Sequence, residues 1–208
     1  MKSTIKGVIF DCWETLGTKG FLVSEVLQKK FDIPQTPDYK RRYEEAVQLQ
    51  AWKTEEEMAK SFLAAFSIEQ NRDNKKIVIE TFAQGLETAT LYDGMYELLV
   101  SLKKAGLALG VLSNATVFES AVLEQWRIRN LFAAAVFSCY QGVLKPSPVM
   151  FDAIISELNI SKDEVLYIDD TKANIDSAKN FEMQGVLFKD VETLRKTIFE
   201  ICPLIPRN

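Results

Sequence analysis

A chain of 208 residues has room for one domain, or for one domain carrying a sizeable insertion, and 47% hydrophobic with 26% charged residues can close a full core. The net charge of −4 argues against a non-specific nucleic-acid binder, and no apolar run reaches the length of a membrane span or a signal peptide. Histidine is absent, which removes Ser-His and Cys-His mechanisms and the commonest zinc ligand, while Cys12, Cys139 and Cys202 lack metal-ligand spacing and suit a reducing, cytoplasmic compartment.

The first apolar run, Ile5–Phe10, has the character of a buried parallel strand and ends on Asp11, which opens Asp11-Cys12-Trp13-Glu14-Thr15-Leu16. Ligands gather at the carboxyl ends of such strands, so a carboxylate there is placed for chemistry, although a solvated turn residue is the blander explanation. From about Phe21 to Ala89 no strand is evident. Helical patterns cover Phe21–Phe31, Tyr39–Trp52, Thr54–Phe66 and Lys75–Thr88, with Pro34 and Pro37 between the first two and a capping box at Thr54 and Glu57. Beyond this stretch, apolar runs at Leu107–Leu112, Ala134–Phe137, Val165–Ile168 and Gln184–Phe188 alternate with amphipathic segments such as Met95-Leu98-Leu99-Leu102 and Phe151-Ile154-Ile155-Leu158. Gly106 and Gly185 stand just before strands, where glycines commonly end helices. The alternation predicts an α/β fold with a Rossmann-like parallel sheet of five strands and right-handed crossovers. Residues 1–18 and 90–208 form its core, and 19–89 form an inserted all-helical domain.

Four strand ends carry polar signals in a fixed order: Asp11 with Thr15, then Ser113-Asn114, then Lys145-Pro146, then Asp169-Asp170 with Asn174. Singly, Ser113 is equally a helix cap, Lys145 a surface lysine and Asp169-Asp170 a turn. Parallel strands point their carboxyl ends at one edge, so jointly the four tips converge.

In these motifs the chain resembles the haloacid dehalogenase superfamily. Asp11 matches the family's nucleophile, Ser113 its second-motif hydroxyl, Lys145 its third-motif lysine and Asp169-Asp170 its acidic metal motif. The resemblance implies the sheet order 5-4-1-2-3, with the helical insert as a cap over the site. It also implies Mg2+ held by Asp11, Asp170 and the backbone carbonyl of Trp13, with Asp169 close by or binding through water. Three convergent carboxylates need such a cation, because otherwise one would stay protonated. Asp11 would then form an aspartyl-phosphate, with Ser113 and Asn114 at the phosphate, Lys145 as a point charge and Thr15 positioning the loop.

One position departs from the family's phosphatases. They carry a second Asp two residues after the nucleophile, to protonate the leaving group and activate water; here it is Trp13. Loss of such a group costs about 10²–10⁴-fold, so substrates with good leaving groups, such as aryl or acyl phosphates, are expected to be preferred. Glu14 is a weak stand-in, since an adjacent loop residue points elsewhere. An aromatic at this position and an arginine in the cap, matched by Arg41 or Arg42, favour a dehalogenase instead, but the metal motif favours a phosphatase. A binding protein that kept the fold and lost turnover is the third possibility. The Trp13 ring either lines the substrate pocket or closes it from solvent. Cys12 packs beneath the site, Trp52, Phe62 and Phe66 are core of the helical domain, and Tyr39, Arg41 and Arg42 are candidates for substrate contact. The expected partner is a small phosphate ester, with neither nucleic acid nor membrane, and the chain is expected to be a monomer or homodimer.

Overall fold

The computed structural model describes residues 4–202, so the outermost parts of the expected core span, 1–3 and 203–208, lie outside it. The chain runs through β1 (Gly7–Phe10), β2 (Gly17–Thr18), α1 (Val23–Lys30), α2 (Tyr39–Val47), α3 (Glu55–Ala65), α4 (Arg72–Glu87), β3 (Thr90–Leu91) and α5 (Met95–Lys104). It continues through β4 (Ala108–Ser113), α6 (Val122–Gln125), β5 (Ala134–Phe137), α7 (Ser138–Gln141), α8 (Pro148–Leu158), β6 (Val165–Asp169), α9 (Lys172–Asn180), β7 (Gln184–Leu187) and α10 (Val191–Ile201). No helix among the described residues is long and apolar enough to cross a membrane.

Five strands form one sheet in the order β5-β4-β1-β6-β7, and every pairing in it is parallel. The short strands β2 and β3 shift the numbering: with them set aside and the sheet counted from its other edge, the neighbours are those of 5-4-1-2-3. Successive side chains of a strand point to opposite faces. Val8 and Phe10 of β1 therefore join the core built by Leu98 and Leu102 of α5 and Ile198 of α10. Ile9 joins the core built by Phe151 and Ile154 of α8 and Ile175 of α9. A strand buried on both faces cannot shift without exposing four buried residues, which fixes where Asp11 emerges.

Helices α1–α4 bury a third cluster of their own, including Leu27, Tyr43, Val47, Met58, Phe62 and Phe82, with Trp52 and Phe66 packed against it. Thr54 caps α3 as its spacing predicts, its hydroxyl accepting from the Glu57 backbone N–H at 3.2 Å. Several contacts tie this segment to the rest of the fold, among them the Gln125 amide donating to the Leu86 carbonyl at 2.8 Å and the Lys19–Glu119 ion pair. On one side β2 and β3, the strands leaving and re-entering the core, pair antiparallel, with Gly17 opposite Leu91. A Cβ on Gly17 would lie 2.3 Å from the Thr90 carbonyl oxygen and 2.7 Å from the Trp126 ring, so only glycine fits. On the other side the Ser138 hydroxyl donates to the Gln48 carbonyl at 2.8 Å.

Two expectations need correction. Helix α2 stops at Val47, not Trp52, because the Trp52 indole N–H folds back onto the Val47 carbonyl (3.0 Å) and Ser138 takes that of Gln48, satisfying the end of the helix early. Gly106 does follow α5 with a φ of +83°, but Gly185 lies within β7 and ends no helix. There the positive φ after α9 belongs to Glu182, and Gly185 is required by close packing, its absent Cβ only 2.9 Å from Ile175.

Candidate active site

Parallel pairing brings the four polar strand ends to one edge. Asp11 leaves β1 with its N–H bonded to the Ile168 carbonyl at 2.8 Å, Ser113 ends β4, Lys145 lies on the loop after α7, and Asp169 ends β6. The Lys145 ammonium sits between two carboxylates, 2.6 Å from Asp11 Oδ1 and 2.7 Å from Asp169 Oδ2. Asn114 holds this lysine in place, its Oδ1 accepting from the Lys145 backbone N–H at 2.8 Å. The Lys145–Pro146 peptide is cis.

The carboxylates are not equivalent. Burial pushes Asp11 up to about 7, with Lys145 opposing and Asp169 and Asp170 adding to the rise. Asp169 is also buried, yet its carboxyl is held below the usual range by the Lys145 ammonium, the Tyr167 hydroxyl and the Thr171 N–H. Asn174 Nδ2 donates to both of its oxygens at 3.0 Å. Burial and neighbouring Asp169 raise Asp170. Burial works against the Lys145 charge, but Asp11 and Asp169 outweigh it and hold the ammonium firmly protonated.

Carboxylate oxygens of Asp11, Asp169 and Asp170 lie within 4.8 Å of one another, an all-oxygen donor set that fits a hard divalent cation. Asp11 and Asp170 open onto a cavity of about 960 Å³ between the sheet edge and the helical segment. Asp169 does not line it, and both its oxygens already accept protein donors, Lys145 among them.

Trp13, Ser113, Asn114, Lys145 and Arg41 also line this cavity. The Trp13 ring forms part of the wall, edge-on to Trp126 at 5.5 Å and covered by the Lys19 ammonium 3.8 Å from its centroid. Lys19 in turn pairs with the buried Glu119. Arg41 stands exposed at the rim, paired with Glu45 at 2.8 Å. Arg42, one residue on and so about 100° around the helix, turns away: it donates to the Ala65 carbonyl at 2.6 Å and lies over the Phe66 ring. Tyr39 is buried, with its hydroxyl on the Ser24 carbonyl. Neither Arg42 nor Tyr39 reaches the cavity. Glu14 reaches it, but accepts from the Thr18 and Tyr92 hydroxyls at 2.8 and 3.1 Å. Cys12 is fully buried, and burial followed by the charge of Asp11 pushes its thiol well up, which removes it as a nucleophile.

Thr15, expected to position the loop after Asp11, does not line the cavity. It is fully buried away from the cavity, and its hydroxyl has no hydrogen-bond partner among the described residues. A buried unsatisfied hydroxyl costs about 1–3 kcal/mol, so Thr15→Val should leave stability unchanged or raise it by about 1 kcal/mol in urea unfolding. A fall in activity at unchanged stability would return Thr15 to the loop-positioning role.

The cavity also contains residues that strand-end motifs do not flag: Lys19, Lys40, Glu44 and Gln48. The last three recur at i, i+4 and i+8 on α2, a helix-face spacing that was available in the sequence; Lys19 carries no comparable signal.

A sequence model described as "Hydrolase: haloacid dehalogenase-like hydrolase" matches residues 5–182. The chain belongs to the haloacid dehalogenase-like hydrolases. Among curated relatives it is similar to flavin mononucleotide hydrolase 1 of Arabidopsis thaliana, with 22% identity over 148 residues, 71% of this chain and 57% of that one. It is also similar to a phosphoglycolate phosphatase of Colwellia psychrerythraea, with 30% identity over 99 residues, 47% of this chain and 44% of that one. The chain thus spans about half the length of these relatives. In fold it is similar to a haloacid dehalogenase family enzyme of Bacteroides thetaiotaomicron solved with magnesium and inorganic phosphate. That match has a TM-score of 0.65 at 17% identity and covers 89% of this chain and 95% of that one. Since the fold is shared by enzymes of different chemistry, the choice of reaction within the haloacid dehalogenase-like hydrolases rests on the site.

Proposed function

We propose that this haloacid dehalogenase-like hydrolase is a Mg2+-dependent phosphatase of small phosphate esters, acting through a phosphorylated Asp11, with helices α1–α4 as the cap over its site. The observation that carries this reading is the carboxylate cluster of Asp11, Asp169 and Asp170 beside a buried ammonium, open to a cavity of small-molecule size. Asp11 and Asp170 would hold the cation, which would supply positive charge against the transferring phosphoryl group. An Asp11 oxygen attacks phosphorus, the Ser113 hydroxyl binds a phosphate oxygen, and Lys145 orients Asp11 and offsets charge as it develops. Asn114 and Asp169 keep Lys145 in register from either side. The fold neighbour with magnesium and phosphate and the relative named as a phosphatase support the same chemistry.

Dehalogenation is the second reading, favoured by Trp13 in the wall and Arg41 at the rim. It does not explain the cluster: a haloacid is itself a carboxylate, and Asp170 would repel it. Release of nitrophenol from para-nitrophenyl phosphate should require Mg2+ and stop with a chelator. Chelator-resistant chloride release from a short 2-haloacid, with no nitrophenol, would establish the dehalogenase instead.

A further inference from the structure

We infer that Glu44, on helix α2 of the helical segment, is the proton donor to the leaving group that the loop after Asp11 lacks; this rests on the phosphatase reading. Five carboxyl groups line the cavity: Asp11, Glu14, Glu25, Glu44 and Asp170. Asp11 and Asp170 belong to the nucleophile and cation cluster. Glu14 accepts two hydroxyl donors, and Glu25 is exposed on α1. Glu44 alone is half-buried, lines the cavity and makes no side-chain hydrogen bond to a described residue.

Its surroundings suit the task. Burial raises the Glu44 carboxyl above its ordinary range and Glu45 adds to the rise, while Lys40 from its own helix and Lys145 from the sheet edge oppose it. A carboxyl raised from its ordinary range is shifted in the direction a general acid requires. One turn along, at the C-cap of α2, Gln48 also lines the cavity, and its buried Oε1 has no hydrogen-bond partner among the described residues. Trp13 occupies the wall where the loop would otherwise supply an acid, and Glu44 faces the same cavity from the helical segment.

The proton balance closes over two steps. As the bond from Asp11 oxygen to phosphorus forms, the bond from phosphorus to the leaving oxygen breaks, and that oxygen takes the Glu44 proton and departs as an alcohol. Glu44, now a carboxylate, accepts a proton from the water that attacks phosphorus, and inorganic phosphate leaves Asp11. Glu44 is again protonated for the next turnover.

The test compares the full chain with its Glu44→Gln and Glu44→Asp variants on phenyl phosphates of graded leaving-group basicity, reading phenol release in a single turnover with Mg2+. In wild type the rate should depend weakly on leaving-group basicity. In Glu44→Gln it should fall steeply, with a loss of about 10²–10⁴-fold on phenyl phosphate, far less on nitrophenyl phosphate, and partial recovery in Glu44→Asp. Misfolding would lower all substrates equally, so the differential reads proton donation alone. The same dependence in Glu44→Gln as in wild type would overturn the proposal. No phosphate-ester turnover in the wild type would overturn the phosphatase reading itself, and this inference with it.

Discussion

Asp11→Asn is expected to lower phosphate-ester turnover on the order of 10⁶-fold, the scale seen when a nucleophile is removed, without unfolding the protein. Under the proposed mechanism the Asp11 carboxylate makes the covalent bond to phosphorus, since the neighbouring Cys12 thiol is buried and firmly protonated. Asparagine keeps the shape of the side chain and an oxygen for the Lys145 ammonium now 2.6 Å away. It leaves Lys145 paired with Asp169, so the variant strands no buried charge. Steady-state kinetics beside a urea titration decide the matter. Activity within about tenfold of wild type, with the transition midpoint preserved, would exclude Asp11 as the attacking group.

Lys145→Met should damage both stability and catalysis, which separates it from the first substitution. Its ammonium is almost fully enclosed and pairs with Asp11 and Asp169 together. Removing one member of a buried ionic cluster costs about 3–5 kcal/mol because the remaining charge is left uncompensated, and here two carboxylates would be left. On the catalytic side, loss of one preorganised positive group at a developing charge costs about 10²–10³-fold. Added Mg2+ should restore part of the lost stability, since a cation on Asp11 and Asp170 would offset the same repulsion. If unfolding curves with and without Mg2+ coincide in this variant, the carboxylates do not form a cation site.

The sheet and its strand ends were legible because both follow from short-range rules. Apolar runs of four to six residues separated by helical spacing leave few topologies, and parallel pairing then converts sequence order into a common edge. Asp11, Ser113, Lys145 and Asp170 come to one cavity in that way. What escaped depends on which direction a side chain takes once packed. Arg41 and Arg42 are neighbours in sequence but diverge around the helix, one to the rim and one onto Phe66. Thr15 falls four residues after the nucleophile yet points into the core. Asn114 and Asp169 carry the right chemistry for ligand contact, and both also hydrogen-bond Lys145, a link that depends on packing and not on spacing. The strands β2 and β3, two residues each, are too short to register as a periodic pattern at all.

Those two short strands have a mechanical consequence. A body joined to its neighbour by a pair of adjacent rails can tilt easily about one line and resists twisting about any other. Helices α1–α4 are joined so, with Gly17 packed against Thr90 and Trp126 at the pivot and the Ser138–Gln48 contact as a catch on the far side. A tilt that broke this contact, together with the Lys19–Glu119 pair and the Gln125–Leu86 hydrogen bond, would move α2 and with it Glu44 and Gln48. Under the proposed function, admission of a guest and delivery of its proton would then belong to opposite ends of a single swing, so that an open molecule would exchange contents without reacting and a shut one would react without exchanging.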